Sequence, residues 1–587
     1  MRKVKQEFDV AVIGGGLAGV CAAVASARHG AKTVLIQNRP VLGGNASSEV
    51  KMHICGADKH AQRPDARETG ILEEVLLKNR QRNHCHSFHI LDMILWETCR
   101  FQENLTLHLN THIDHVVCEN GHIQSVSGVT QTSETALTIS AKLFIDATGD
   151  GTVGALAGAE YMYGREDQSA FGEEDAPTVA DHCTMGSSIM FTARDMGHPV
   201  PFVKPEWANT YTEEDLKCRN HSALESGYWW IELGGNELNT IDDAEEIRDE
   251  LMKAVFGIWD HIKNGGDHGA DNYELEWFNM LPGKRESRRF KGDYVLTEQD
   301  LVESRRFEDA IAYGGWSIDN HVVGGINTQS AEPTKYIHLK DVYTIPYRSL
   351  VSCNIDNLFL SGRAFSTSHL AFASTRVMAT CAVVGQAAGT AAADCIQKGI
   401  LPRGMYDHIE ELQQQLLKDD CYIPGVPNQD PDDKARSAKI TASSEQKGFE
   451  AKKVVSGISR KVFEESNLYM SDGIAKDGEW VELNLESAMP VKEVHLKFDS
   501  NLSKELTPSI NAYVQSCQEK TLPATLVKDY DVVYYQDGKE VARSEHRDNI
   551  QRFNVIPANG VVCDTVRVQC YATYGDQNIR IFEIRVY

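Results

Sequence analysis

An α/β unit followed by an all-β sandwich is the architecture this sequence predicts, and three observations carry it. Residues 8–19 read FDVAVIGGGLAG, an apolar strand that passes without a break into Gly14, Gly16 and Gly19 and then into the small-residue helix VCAAVASARHG. Further apolar strand segments recur as KTVLIQ (32–37), LFIDATGDG (143–151) and NLFLSGR (357–363), each running into a polar or glycine-bearing turn. After residue 436 the pattern changes to alternating strands such as WVELNL, VKEVHLKF, DVVYYQ, DTVRVQCY and IRIFEIRVY, with no helical periodicity between them.

The first segment is a dinucleotide-binding entrance. Gly14 permits the tight turn, Gly16 lets backbone approach a pyrophosphate, and Gly19 lets the helix pack close on the strand. Leu17 and Ala18 form the first helical turn, whose free N–H groups and dipole favour phosphate. The second strand ends at Gln37 and Asn38, where an acidic residue usually reads the ribose hydroxyls. An amide donates and accepts, so ribose binding is kept while the charge is lost; with Arg39 beside it, NADP is the alternative nucleotide. NLTLHLNTHIDHVVCENGHIQSVSGV alternates around an Asn-Gly turn and predicts a hairpin. Residues 242–263 and 297–313 predict helices, HLAFASTRVMATCAVVGQAAGTAAA (369–393) a long alanine- and glycine-rich helix, and PGVPNQDPDDKARSAK a linker.

After the second strand, NRPVLGGNASSE carries Arg39 and the Gly43-Gly44 pair; with the Ala147-Thr148-Gly149 and Gly362-Arg363 strand ends, it resembles the large FAD-dependent oxidoreductases of the glutathione-reductase superfamily. The chain is similar, over residues 8 to 425, to a bacterial family of FAD-dependent oxidoreductases. This resemblance implies a discontinuous Rossmann-like FAD-binding domain in two parts, 1–165 and 341–425, with an inserted α+β substrate domain at 166–340 and a linker at 426–436. Residues 437–587, from SAKITASSEQKGFEAKKVVSG to the closing IRIFEIRVY, resemble discoidin-like domains, the coagulation-factor C-type jelly roll, which bind sugars or pack on their own catalytic unit. The implied cofactor is noncovalent FAD, held by Gly14, Gly16, Leu17, Ala18, Gly19, Gln37, Asn38, Arg39, Gly43, Gly44, Asn45, Ala46, Ala147, Thr148, Gly149, Gly362, Arg363 and Arg376. No second strand–glycine–helix unit for a nicotinamide nucleotide is present, so the electron acceptor stays open.

A flavin supplies electron chemistry, so the chain must contribute acids, bases and clamps. His53, in NASSEVKMHICGA near Glu49, and His369 are the expected general bases, since imidazole titrates near working pH. Arg67 and Glu68 follow in the same region, which faces the flavin in the resembling family. LPGKRESRRFKGDYVL concentrates Lys284, Arg285, Arg288 and Arg289, of which Arg285 and Arg289 are expected as guanidinium clamps; GGWSIDNHV adds Trp316, Asp319 and His321. His84, Cys85, His86 and His89 cluster in NHCHSFHILD but match no zinc spacing, so no metal is expected.

With 59 basic and 84 acidic residues the net charge is −25, which argues against nucleic acid and anionic membranes as partners and leaves a small molecule or glycan. No apolar run approaches a membrane span. The charged N-terminus leads straight into the first strand and the 14 cysteines show no framework, so the cytoplasm is expected, or the periplasm if a leader has been trimmed. The expected reaction is oxidation of a hydroxyl-bearing carbon, on a carbohydrate if the sandwich reports the substrate. The alternatives are reduction or desaturation of a carboxylate clamped by the arginines, as in fumarate-reductase-like relatives, and a glycan-binding scaffold whose FAD is structural.

Overall fold

In the computed structural model, which describes residues 1–57, 63–266 and 268–587, a sheet is built outward from strand β1 (Arg2–Ile13). Val10, Ala11 and Val12 are wholly buried, as expected of a parallel strand covered on both faces. Helix α1 (Leu17–Arg28) returns the chain to β2 (Thr33–Ile36), parallel to β1 with Val10 opposite Thr33. Helices α2 (Ile71–Arg82) and α3 (Phe88–Arg100) precede β3 (Leu105–His108), which pairs with β2. Strands β4 (Thr111–Glu119) and β5 (His122–Thr130) form the expected hairpin, with Asn120 and Gly121 at φ +52° and +75° in the mirror-image turn that Asn-Gly favours. Strand β6 (Thr135–Asp146) runs parallel to β1, takes β5 along its first half, and receives the short β7 (Leu358–Leu360) along its second. Ile13, Ile36, His108, Asp146 and Leu360 therefore end together along one edge of the sheet.

Residues between β6 and β7 supply the inserted unit. Its helix α4 (Ala244–Asn264) falls where 242–263 predicted one. The helix predicted over 297–313 is not there. Only Glu298–Val302 is helical, Ser304 turns the chain at φ +54°, and Ala310–Gly314 is a buried strand paired with Tyr343–Pro346. An apolar run such as AIAYG has no periodicity to separate a buried strand from a buried helix. The long helix predicted from His369 is two, α5 (His369–Thr375) and α6 (Met378–Lys398), bent by 93°. The break lets Ala379 N–H donate to the Cys55 carbonyl at 2.9 Å.

Helix α1 lies between the sheet and α6 at glycine distances. A Cβ on Gly19 would stand 1.8 Å from the Gly14 carbonyl oxygen, one on Gly385 2.1 Å from that of Ala18, and one on Gly389 2.0 Å from that of Ala22. Helix α7 (Ile409–Lys418) closes this unit.

The C-terminal unit is an all-β sandwich made of β8 (Lys439–Ala442), β9 (Tyr469–Met470), β10 (Glu479–Phe498), β11 (Val527–Gln536), β12 (Lys539–His546), β13 (Phe553–Thr573) and β14 (Arg580–Val586). WVELNL and VKEVHLKF belong to the single strand β10, whose pairing with β13 slips between Asn484 and Met489. Residues 426–436 are pinned down: Asn428 N–H donates to the Gly457 carbonyl, and the Asp433 carboxylate accepts from Val586 N–H.

Buried cations weld the sandwich to the α/β unit. Arg67 forks onto Glu73 at 2.7 and 3.2 Å and donates to the carbonyls of Ser500 and Asn501. Arg460 donates to the carbonyls of Asp65 and Arg67 and to Tyr313 Oη, Arg552 pairs with Asp420 at 3.1 Å, and Lys497 and Arg585 both donate to the Leu417 carbonyl. Ile54 N–H donates to Thr507 Oγ1 at 2.9 Å, so a sandwich loop also supports the segment that carries His53.

Gly385→Ala must push α6 off the Ala18 carbonyl. A destabilisation of about 1–3 kcal/mol is expected from such overpacking, read as a shift of the denaturant midpoint. Gly399→Ala, where an added Cβ meets nothing within 4 Å, should cost only its φ of +67°, about 1 kcal/mol.

Candidate active site

A cleft of about 420 Å³ opens at the edge where the parallel strands end. Its floor is Gly14–Ala18, one side is Gln37–Arg39 with Gly43–Asn45, and the other is Ala147–Asp150 with Gly362 and Arg363. The ladder holds these turns in register: Gly14 N–H donates to the Ile36 carbonyl, Ala147 N–H to that of Ile13, and Ser361 N–H to that of Asp146. Met280–Pro282, Lys284 and Arg285 from the inserted unit, together with Glu49, Met52, His53, Cys55 and Arg376–Met378, also line it.

The residues present fit a dinucleotide. A Cβ added to Gly16 would meet nothing within 4 Å, so that position faces open space. Gly16 is also the N-cap of α1 and supplies no side chain to its first-turn N–H groups, which leaves them for an anion. Gly43, at φ +105°, donates its N–H to the Gly15 carbonyl and folds a second backbone segment over the first. Gln37 lines the cleft and braces the turns around it. Its Oε1 accepts from Gly15 N–H at 2.8 Å and its Nε2 donates to the Val41 carbonyl at 3.2 Å, which leaves one N–H and one lone pair of the amide unspent beside Asn38 and Arg39 on that wall.

Charged groups line the opposite wall in compensated sets. Asp150 takes Lys284 at 2.8 Å and Arg363 at 2.6 Å and accepts from Ser287 Oγ, joining the inserted unit to β7. Burial opposes its ionisation, but Arg363 and Lys284 outweigh that and hold the carboxyl down at about 2. Deeper, Arg285 lies 3.4 Å from Glu232 and Arg376 lies 2.9 Å from Asp319. His321 bridges these carboxylates, Nδ1 at 2.5 Å from Glu232 and Nε2 at 3.2 Å from Asp319. Burial again opposes charge, yet Arg285 and His321 hold Glu232 at about 2, and His321 and Arg376 keep Asp319 well below the usual carboxylate range. His53 is half-buried in the cleft wall, and loss of hydration pushes its imidazole down to about 4, so it is neutral at pH 7.

Not every expected residue reaches the cleft. His369 is 4% exposed, with Nδ1 3.0 Å from the Glu286 carboxylate and Nε2 3.3 Å from Asn320 Oδ1. Arg289 is fully buried, donates to the Thr367 carbonyl at 3.0 Å, and pairs with Glu166 at 2.9 Å and Glu286 at 3.0 Å. Both were expected to be catalytic; both instead hold the base of the inserted unit, because Glu286 draws this part of the RESRR run inward. Gly19 lies behind the entrance, Ala46 is wholly buried, and neither lines the cleft. Arg67 belongs to the sandwich weld and Glu68 accepts from Ala57 N–H at 2.8 Å. Arg288 donates to the Asp150 carbonyl, and the Trp316 carbonyl accepts from Ser374 Oγ. His84, Cys85 and His86 lie on the turn between α2 and α3 and His89 in the first turn of α3; His84, Cys85 and His89 are exposed, and among the described residues these four do not meet as a metal-holding group. Asp150 and Glu232 were missed in the sequence. Asp150 directly follows the ATG segment and had a positional signal; Glu232, in YWWIELGG, had none.

The model of a family described as FAD dependent oxidoreductase matches residues 9–416. No curated protein matches the chain. Among solved structures, a fucose binding module of Streptococcus pneumoniae is 13% identical, covering 26% of this chain and 96% of its own at a TM-score of 0.21. A chitosan-binding module from Paenibacillus sp. IK-5 is 19% identical over 26% of this chain and 98% of its own, TM-score 0.20. The family 32 module of C. perfringens NanJ, solved with galactose, is 13% identical over 26% and 96%, TM-score 0.19.

Glu232→Gln leaves Arg285 and His321 facing a neutral amide, and a loss of about 3–5 kcal/mol is expected at pH 7. Because the folded-state value near 2 lies below the ordinary 4.5, this stabilisation is full above 4.5 and disappears as the pH falls toward 2. Urea unfolding of the wild type and the variant should therefore converge across that window.

Proposed function

We propose that this chain, which belongs to the FAD dependent oxidoreductase family, oxidises a hydroxyl-bearing carbon of a neutral, polyhydroxylated small molecule, with a carbohydrate as the substrate class. The observation that carries this reading is the pairing of Arg285 with Glu232 and of Arg376 with Asp319, bridged by His321. That wall offers guanidinium N–H donors whose charge is already matched by two carboxylates. Hydroxyl oxygens suit such donors, whereas a substrate carboxylate would meet no surplus cation among these four groups.

The backbone of Gly14–Ala18 and Gly43–Asn45 would hold the pyrophosphate region of the FAD, and Asn38 and Arg39 lie on the ribose side. Bound flavin supplies a two-electron acceptor for a hydride. His53, neutral above pH 4, would take the proton of the substrate hydroxyl, the proton that an alcohol must lose as it is oxidised to a carbonyl. Arg285 and Arg376 orient the neighbouring hydroxyls. One observation favours the second reading, a carboxylate substrate: Arg376 Nε is buried without a hydrogen-bond partner and is a donor still to be used.

The test is the anaerobic flavin spectrum during addition of neutral sugars and small dicarboxylates. Bleaching by a sugar, slowed about 10²- to 10⁴-fold in His53→Ala, is the expected result; bleaching by hydroxy acids alone, or competition by dicarboxylates, would favour the second reading. Gly16→Val provides the cofactor control. Its side chain enters open space, so stability should change by about 1 kcal/mol or less, while flavin is lost.

A further inference from the structure

We infer that Glu213, His221, His261 and His268 form a tetrahedral divalent-metal site of the zinc class inside the inserted unit. Glu213 Oε1 lies 3.5 Å from His221 Nε2, 3.5 Å from His261 Nε2 and 3.3 Å from His268 Nε2. The four ligand atoms all fall within 4.8 Å of one another. Zinc bonds to nitrogen and carboxylate oxygen of about 2.0–2.1 Å, arranged tetrahedrally, place neighbouring ligand atoms about 3.3–3.4 Å apart. The three contacts to Glu213, at 3.3–3.5 Å, are close to that edge length, the histidine nitrogens lie within 4.8 Å of one another, and the contacts are long for N–H···O bonds, whose ordinary range ends near 3.2 Å.

Two further observations aim the imidazoles at a common centre. His261 is 3% exposed and its Nε2 is buried with no hydrogen-bond partner. His221 Nδ1 lies 2.6 Å from the Arg219 carbonyl, which can only accept, so Nδ1 carries a proton and Nε2 is the nitrogen turned to the cluster, where the loss of its own proton to an incoming metal would leave a ligand. A backbone carbonyl behind a histidine ligand is the usual outer partner that fixes tautomer and ring orientation. The three rings converge, with centroids 4.8–5.4 Å apart. Three imidazoles and one carboxylate, the latter reaching in from an exposed position, form a four-ligand set of the kind that binds zinc in a structural role.

The site would staple segments that regular structure leaves loose. Glu213 and His221 lie in a stretch without helix or strand, His261 is in the last turn of α4, and His268 follows that helix. The stretch is also anchored by Arg219, which donates to the carbonyls of Gly325 and Thr328, and by Trp230 Nε1 on the Asn220 carbonyl. Spacings of 8, 40 and 7 residues between the four positions match no short motif, so only folding brings the ligands together.

Full-length protein, stripped with a chelator and titrated with Co²⁺ and then Zn²⁺, tests the site. Expected are one equivalent per chain, the intense visible bands of tetrahedral Co²⁺, their displacement by Zn²⁺, and a rise in Tm with metal. His261→Gln should weaken binding by at least about 100-fold, since even the partners behind metal ligands are worth 10- to 100-fold. The absence of tetrahedral Co²⁺ bands in the wild-type chain, which needs no variant to fold, would overturn the site. So would unchanged affinity in both His261→Gln and His221→Gln/His268→Gln.

Discussion

The close approach of α1 to both β1 and α6 is the constraint on which the rest of the α/β unit depends. Gly19 rests against the Gly14 carbonyl, and Gly385 and Gly389 rest against the carbonyls of Ala18 and Ala22, at separations no side chain permits. A helix held this close must start where the strand stops, so its N-terminus meets the sheet edge with no intervening side chain. The same crowding fixes the neighbouring turn, because a Cβ on Gly14 would stand 2.1 Å from the Ala147 carbonyl oxygen. Asp146 then secures the end of β6 by accepting from Thr148 and Gly154 N–H at 3.0 and 2.8 Å. The cleft is the space these contacts leave.

Electrostatics complete what packing begins. Carboxylates hold the cationic wall in place: half-buried Asp150 joins Lys284 to Arg363, while buried Glu232 and Asp319 hold Arg285 and Arg376 through His321. Each such carboxylate is costly to desolvate and stays charged because its cations lie beside it at 2.6–3.4 Å. The sandwich takes part in this arrangement. Through Thr507 on Ile54 and the Ser500 and Asn501 carbonyls on Arg67, it supports the chain that carries His53 and Cys55 into the cleft. The appended unit is thus part of the architecture around the cleft.

What was legible in the sequence was local. The strand, the glycine turn and the small-residue helix at 8–28 form one continuous signal, the Asn-Gly hairpin another, and the alternating strands after 436 a third. Where local signals conflicted or were silent, the structure differed. AIAYG at 310–314 is buried on every side and carries no period, and the run from His369 conceals a 93° bend at Arg376 and Val377. In RESRR, charge identified the residues but not their direction: Arg285 reaches the cleft, while Arg289 turns inward to Glu166 and Glu286.

The sequence by itself determined the fold class and the chemistry of the entrance, because glycine spacing and strand–helix alternation act over a few residues and need no distant partner. Only the tertiary structure decided which charged groups face the cleft, that Gln37 braces Gly15 and Val41 with its amide, and that a glutamate and three histidines far apart in the chain meet at one point. Those outcomes depend on burial and on partners tens or hundreds of residues away. A side chain's environment is a property of the packed molecule, and residue order alone does not contain it.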